Sequence, residues 1–376
     1  MAKLKLSFPT FRQPGRVTSA PGALRVLADQ GITSRTLFFV SGSAIVRSTL
    51  EATLEARGIR LDPGQVLTKP AGEPAPAMID AAAGALAGRE VDLLVALGGG
   101  AVLDWCRLAW CRSVGGLDLS TGSLRPEALR GAQRPPLWLI PTTCGSGAEA
   151  AGVAVYQVDD RKVPVVVPAF VADHVILDSR LLDGLDTVSL ACGRADALTH
   201  GLEAFLSIVP FTLAKEAAVT SLLLSFEAEA MPATSSRGQR LLEASYLAGL
   251  AAAHCSVGVV HALAHVMAAR GVSHGVGNAI GLAAGLRANR DAPAMTTLLA
   301  RIGCDTLDAC VDRLASIIAP ATSSPAAEHA RRLVASVAED ELAAAVESDG
   351  CFRTNPGPLD RTAVRRFLRD VGGARA

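Results

Sequence analysis

Val91-Asp92-Leu93-Leu94-Val95-Ala96-Leu97-Gly98-Gly99-Gly100 is an apolar run that ends in three glycines, and a helical pattern, Val102 to Trp110, starts directly behind it. Strand, triple glycine and helix let backbone N–H groups and a helix N-terminus approach a phosphate, because a Cβ at these positions would hold the backbone away. The stretch is neither a GxGxxG fingerprint nor a GK[ST] phosphate loop. Taken alone, a tight βα turn is the better account of it.

Working outward, further apolar runs occur at Thr36 to Val40, Leu137 to Ile140, Val165 to Val167 and Val175 to Leu177, and an alanine-rich helical pattern spans Ala77 to Leu86. This alternation predicts βαβ units and a parallel sheet. Behind the run ending at Ile140 stands a second polar loop, Pro141-Thr142-Thr143-Cys144-Gly145-Ser146-Gly147-Ala148-Glu149, with hydroxyls interleaved among glycines. Two such loops at the carboxyl ends of neighbouring parallel strands point to a ligand, since open α/β sheets bind at that edge. From about Ser189 the texture changes to long Ala/Leu-rich stretches of helical period, such as Leu213 to Phe226 and Leu241 to Ala253. The expected organisation is an α/β domain over 1–185 and an all-helical domain over 186–376, with the boundary near Gly184 to Thr187.

The 376 residues are half hydrophobic, which is enough for two cores, and 36 basic residues balance 36 acidic ones. A net charge of zero argues against wrapping nucleic acid. Met1 to Pro9 lacks the apolar run of a signal peptide, and no stretch reads as a membrane span, so a cytoplasmic protein is expected. The eight cysteines form no CxxC pair and read as buried free thiols.

Chemistry concentrates in the helical half. Asp196 and His200 stand four apart, His261 and His265 repeat that spacing, and His274 follows Gly271. On a helix, i and i+4 share a face. Any one histidine here reads as a satisfied core residue. Several such groups buried among apolar helices without a shared partner would be costly, and an Asp with imidazoles suits Fe(II) or Zn(II) with a position left open for substrate.

The ordered set Gly98-Gly99-Gly100-Ala101-Val102-Leu103-Asp104, Pro141 to Glu149, Asp196-Ala197-Leu198-Thr199-His200-Gly201-Leu202-Glu203-Ala204-Phe205-Leu206-Ser207, His261 to His265, His274-Gly275-Val276-Gly277-Asn278-Ala279 and Thr354-Asn355-Pro356 resembles the iron-containing, group III alcohol dehydrogenases over nearly the whole chain. The resemblance implies the dehydroquinate synthase-like fold of that family: an α/β dinucleotide-binding domain with a parallel sheet, an all-α domain, and a metal in the cleft between them. It implies a metal-dependent, NAD(P)-linked oxidoreductase acting on a small alcohol, aldehyde or ketone. The implied ligands of Fe(2+), or Zn(2+), are Asp196, His200, His261 and His274. His265 matches a histidine beside nicotinamide and substrate, and with Asp104 it is the catalytic candidate. Gly98, Gly99, Gly100, Asp104, Thr142, Thr143, Ser146 and Lys162 fall where the family holds NAD(P). The family also implies a homodimer or larger assembly.

The chain departs from the pattern in places. Gly42 stands where a carboxylate often bonds the adenosine ribose, so nothing there repels a 2′-phosphate, and NADPH is expected to serve at least as well as NADH. Arg107 stands where Lys is common. His254 lies seven residues before His261; on a continuous helix it would face the substrate pocket, and with Arg270 it would favour an anionic aldehyde such as phosphonoacetaldehyde. A packed or capping histidine is the alternative. Rival readings are a dehydroquinate synthase-like or maleylacetate reductase-like enzyme on the same scaffold, and a silent binding protein that keeps the fold.

Overall fold

The described residues, 10–30, 32–159 and 161–373 of a computed structural model, contain eight strands: β1 (Arg16–Ser19), β2 (Thr36–Val40), β3 (Val66–Thr68), β4 (Leu93–Gly98), β5 (Leu137–Pro141), β6 (Val153–Val158), β7 (Arg161–Val166) and β8 (His174–Leu177). The opening stretch Met1 to Pro9 lies outside the described residues. Six strands form one parallel sheet in the order β1-β8-β5-β4-β2-β3. Successive side chains of the inner strands go to opposite faces, and both faces are covered. Phe38, Val40, Val95, Leu97, Trp138, Ile140 and Ile176 join one core, while Leu37, Phe39, Leu94, Ala96, Leu137, Leu139, Val175 and Leu177 join the other. Burial on both sides is why these strands read as continuous apolar runs.

The run Val165 to Val167, expected to join the parallel sheet, instead supplies the end of β7, which pairs antiparallel with β6 in a separate ribbon. Pro164 explains the difference: it has no N–H to give to a ladder, and a two-stranded ribbon tolerates it where an inner strand would not. The chain passes from β2 outward to β3 and returns to β4 on the other side of β2. The crevice where ligands collect in such sheets therefore opens between the loop after β2, Ser41-Gly42-Ser43, and the triple glycine after β4.

After β8 the described residues are helical. Helices Thr187–Leu206, Thr212–Ala230 and Ser235–Cys255 pack together, followed by Val259–Ala268 and His274–Ala288, around two further apolar cores. Among the described residues no single helix is long and apolar enough to cross a membrane. Helix Ser235–Cys255 stops where Ser256 takes φ +60°, and the next helix sets off at 99° to it. Thr354 Oγ1 pins this corner, donating to Val257 O at 2.6 Å and lying 2.9 Å from Ser256 Oγ.

The loop after β5 lies directly on helix Ser235–Cys255. Gly147 has φ +56°, and a Cβ on Gly249 of the helix would sit 2.3 Å from Gly147 O. Backbone touches backbone here, so the sheet and the helices are held at a spacing that only glycine permits. Gly249→Ala is expected to cost about 1–3 kcal/mol through overpacking, read as a lower denaturant midpoint; an unchanged midpoint would contradict this account of the contact.

Candidate functional site

Three helices bring the polar cluster together. Helix Thr187–Leu206 carries Asp196, His200 and Glu203, Val259–Ala268 carries His261 and His265, and His274–Ala288 begins at His274 and carries Asn278 one turn later. Asp196 Oδ1 is 3.6 Å from His200 Nδ1, 3.5 Å from His261 Nε2 and 3.4 Å from His274 Nε2. Ligand atoms of Asp196, His261 and His274 lie within 4.8 Å of one another, and the His200 ring is 4.3 Å from that of His261. Asp196, His261 and His274 thus stand around one point, and His200 borders it through Asp196 and the His261 ring.

Asp196 and His261 are buried, and His200 and His274 are part-buried beside them. Burial drives the His200 imidazole down to about 3 and that of His274 down to about 4, so both stay neutral with lone pairs available. Burial also opposes a charged His261, but the Asp196 carboxylate 3.5 Å from its Nε2 and the Glu203 carboxylate bonded to its Nδ1 outweigh it and lift that ring to about 9. Burial likewise opposes a charged Asp196, yet His200, His274 and His261 hold its carboxyl well below the usual range. Two buried carboxylates thus pull positive charge into one place. His200 Nδ1 and His261 Nε2 are buried, face that place, and find no hydrogen-bond partner among the described residues. Neutral imidazoles with free nitrogens, a carboxylate and uncompensated negative charge fit a divalent cation.

Glu203 secures this arrangement, and the sequence reading assigned it no role. Its carboxylate accepts from Val260 N at 2.7 Å and Gly258 N at 2.8 Å, capping helix Val259–Ala268, and accepts from His261 Nδ1 at 2.7 Å. One group therefore both starts the helix and fixes the tautomer of its first histidine, leaving Nε2 toward Asp196. Its spacing of seven from Asp196 was the available signal. Asn278 donates to Asp196 Oδ1 at 2.7 Å, and Asn355 accepts from Val259 N at 3.2 Å, which gives the late Asn-Pro dipeptide a bracing role.

His265 stands beside the cluster, its ring stacked 5.4 Å from that of His274. Its Nδ1 donates to Asp349 Oδ2 at 3.1 Å, with Cys351 Sγ at 3.8 Å. Neither Asp349 nor Cys351 was anticipated; they lie 84 and 86 residues from His265, and no local spacing announces them.

The two polar loops meet above the cluster. A Cβ on Gly100 would sit 2.7 Å from Ser146 Oγ, and one on Gly145 would sit 3.3 Å from Asp196 Oδ2. Gly98, Gly99 and Gly100 turn β4 into helix Gly100–Ser113, while Thr142 is buried behind them and Thr143 and Ser146 are part-exposed. Asp104 has partners of its own: Oδ2 accepts from Val155 N at 3.0 Å, Oδ1 faces Arg107 at 3.3 Å, and burial raises its carboxyl to about 6. Both oxygens thereby anchor the turn after the second polar loop. Lys162 pairs with Glu73 at 3.0 Å, and its charge is felt at Asp104 and His274. Gly42 lies in an exposed loop at the N-terminus of helix Ala44–Glu55.

The two substrate-pocket candidates are not where the sequence put them. His254 belongs to the helix before the 99° corner, so its seven-residue spacing from His261 does not return it to the same face. It accepts from Arg12 N at 2.9 Å, bonds Leu250 O at 2.8 Å and stacks on Phe11. It lines a separate, mainly apolar cavity of about 240 Å³ with Val166, Val209 and Phe211. Arg270 is tied to Glu341 at 3.0 Å and to Val266 O at 3.0 Å. The packed-histidine alternative describes His254.

Comparison with known proteins agrees with this architecture. A family model described as iron-containing alcohol dehydrogenase matches residues 14–179, and one for the C-terminal part of the Fe-containing alcohol dehydrogenase family matches 190–371. The probable alcohol dehydrogenase EutG of Escherichia coli is 29% identical over 68% of this chain and 67% of its own length. Long-chain-alcohol dehydrogenase 1 of Geobacillus thermodenitrificans is 33% identical over 47% of this chain, and the match spans only 46% of that protein. The fold superposes on the iron-containing alcohol dehydrogenase of Thermococcus thioreducens with a TM-score of 0.81 and 20% identity, covering 97% of this chain and 100% of that one. With both parts of the family matched in order along one chain, the protein belongs to the iron-containing alcohol dehydrogenases.

Proposed function

We propose that this protein interconverts a small, uncharged alcohol and its aldehyde or ketone, using NAD(P) and a divalent cation held by Asp196, His200, His261 and His274. The observation that carries the reading is the gathering of His200, His261 and His274 around Asp196, directly beneath Gly145 of the facing polar loop. A divalent ion bound there supplies Lewis-acid stabilisation to the substrate oxygen, and the nicotinamide supplies or accepts the hydride.

The chain's own groups do the rest. Helix N-terminus and backbone at Gly98 to Gly100 hold the dinucleotide phosphates, with Thr143 and Ser146 on the facing loop. Glu203 keeps His261 in the ligating tautomer. Asp349 holds His265 Nδ1, so Nε2 is the nitrogen that takes the hydroxyl proton as the alcohol is oxidised and, in the reduction direction, gives a proton to the substrate oxygen once the carbonyl carbon has accepted hydride; the partial exposure of the ring lets that proton exchange with solvent. An uncharged substrate is favoured because the nearby cation Lys162 is already matched by Glu73, while His254 and Arg270 are committed elsewhere. Iron is the metal proposed; zinc competes by affinity order.

Metal analysis with NAD(P)H oxidation against neutral and anionic aldehydes, phosphonoacetaldehyde included, tests the reading. Turnover of neutral aldehydes that stops on chelation and returns with Fe(II) or Zn(II) is expected, and metal-free protein with full activity would sink it. Glu203→Gln should weaken metal affinity by about 10–100-fold in chelator competition; equal affinity would show that the Glu203–His261 bond does not tune the site. His265→Ala should lower kcat by about 10²–10⁴ at unchanged metal content, and full activity at every pH would remove it from proton transfer. The loop around Gly42 has no acidic residue in the following helical turn, so kcat/KM with NADPH should equal or exceed that with NADH; a strong NADH preference would contradict this.

A further inference from the structure

We propose that His265, Asp349 and Cys351 form a second divalent-cation site, separate from the Asp196 cluster and selective for zinc or another thiophilic ion. Their ligand atoms lie within 4.8 Å of one another, with His265 Nδ1 3.1 Å from Asp349 Oδ2 and 3.8 Å from Cys351 Sγ. Zinc bonds of about 2.0 Å to nitrogen or oxygen and about 2.3 Å to sulfur, set at tetrahedral angles, require donor separations of about 3.3 Å and about 3.6 Å. The two separations from His265 are already close to these values, and the third pair lies within 4.8 Å.

The backbone organises the set in advance. Asp349 caps the short helical turn Gly350–Thr354, its Oδ1 accepting from Cys351 N at 2.8 Å, so the other carboxylate oxygen and the thiol reach His265 from one rigid turn. All three side chains are only partly buried, which leaves an entry route and a fourth position for water. Burial, with Asp349 and Glu203 nearby, pushes the Cys351 thiol up, so the cation displaces a proton when it binds. One sulfur, one imidazole and one carboxylate form a donor set unlike the sulfur-free set around Asp196, and this difference in softness separates the metals. Occupancy at Nδ1 would shift the remaining proton of His265 to Nε2 and remove its capacity to accept one. That consequence rests on the role of His265 in the reaction proposed above; the site itself does not.

Cobalt(II) is the probe, added to the protein carrying its resident metal. A near-ultraviolet thiolate-to-cobalt charge-transfer absorption is expected in wild type, displaced by zinc and lost in Cys351→Ser. Asp196→Asn should keep this absorption while losing any aldehyde reduction, so failure of the hydride-transfer reading and failure of the second site give different results. Should Cys351→Ser not fold, zinc is expected to slow iodoacetamide labelling of Cys351 in wild type, mapped by mass spectrometry, by about tenfold or more. Absence of the absorption at saturating cobalt, its persistence in Cys351→Ser, or labelling indifferent to zinc would each overturn the proposal.

Discussion

A carboxylate at Asp196, buried and ringed by three imidazoles, is the constraint to which the rest of this structure answers. Taking such groups out of water is costly, and the cost is tolerable only where they share a partner or carry complementary charge. The chain divides the burden unequally. His200 and His274 remain neutral, while His261, caught between Asp196 and Glu203, attracts the positive charge. A position flanked by two buried carboxylates and bare imidazole nitrogens is electrostatically prepared for a cation, whichever divalent metal fills it.

Holding that arrangement shapes the surrounding helices. Glu203 sits two turns along the same helix as Asp196, so the residue that attracts the charge and the residue that orients His261 are fixed relative to each other by helical geometry. The same carboxylate satisfies the N–H groups that open helix Val259–Ala268. The chain can therefore turn sharply at Ser256 and Gly258 without leaving these donors unpaired in the core. The corner removes His254 from the site and delivers His261 to it.

Signals that are local in sequence were readable and signals that depend on the tertiary path were not. Inner strands were visible because burial on both faces makes them uniformly apolar; β1 and β3, of four and three residues at the sheet edges, lack that mark. The i, i+4 spacings of Asp196 with His200 and of His261 with His265 announced the cluster, since one helix carries each pair. Asp349 and Cys351 arrive from a distant turn and leave no periodic trace. His254 misled for the opposite reason: the spacing was sound for a continuous helix, but Ser256 at positive φ ends the helix between the two residues.

Arg107 shows why an apparently mild departure from the family pattern matters. Its guanidinium is fully buried and donates to Ala148 O, Ala151 O and Val153 O at 2.8, 2.9 and 3.1 Å, with Asp104 at 3.3 Å. Three carbonyls and a carboxylate around one planar fork need more donors, spread more widely, than a compact ammonium offers. The helix behind the triple glycine is thereby riveted to the turn that follows the second polar loop. Asp104 belongs to the same rivet through Val155 N, so it anchors this turn before any cofactor is invoked. Since Gly145 of that loop presses against Asp196, the buried arginine that holds the loop's far end at Ala148 helps to fix the loop backbone relative to the Asp196 cluster.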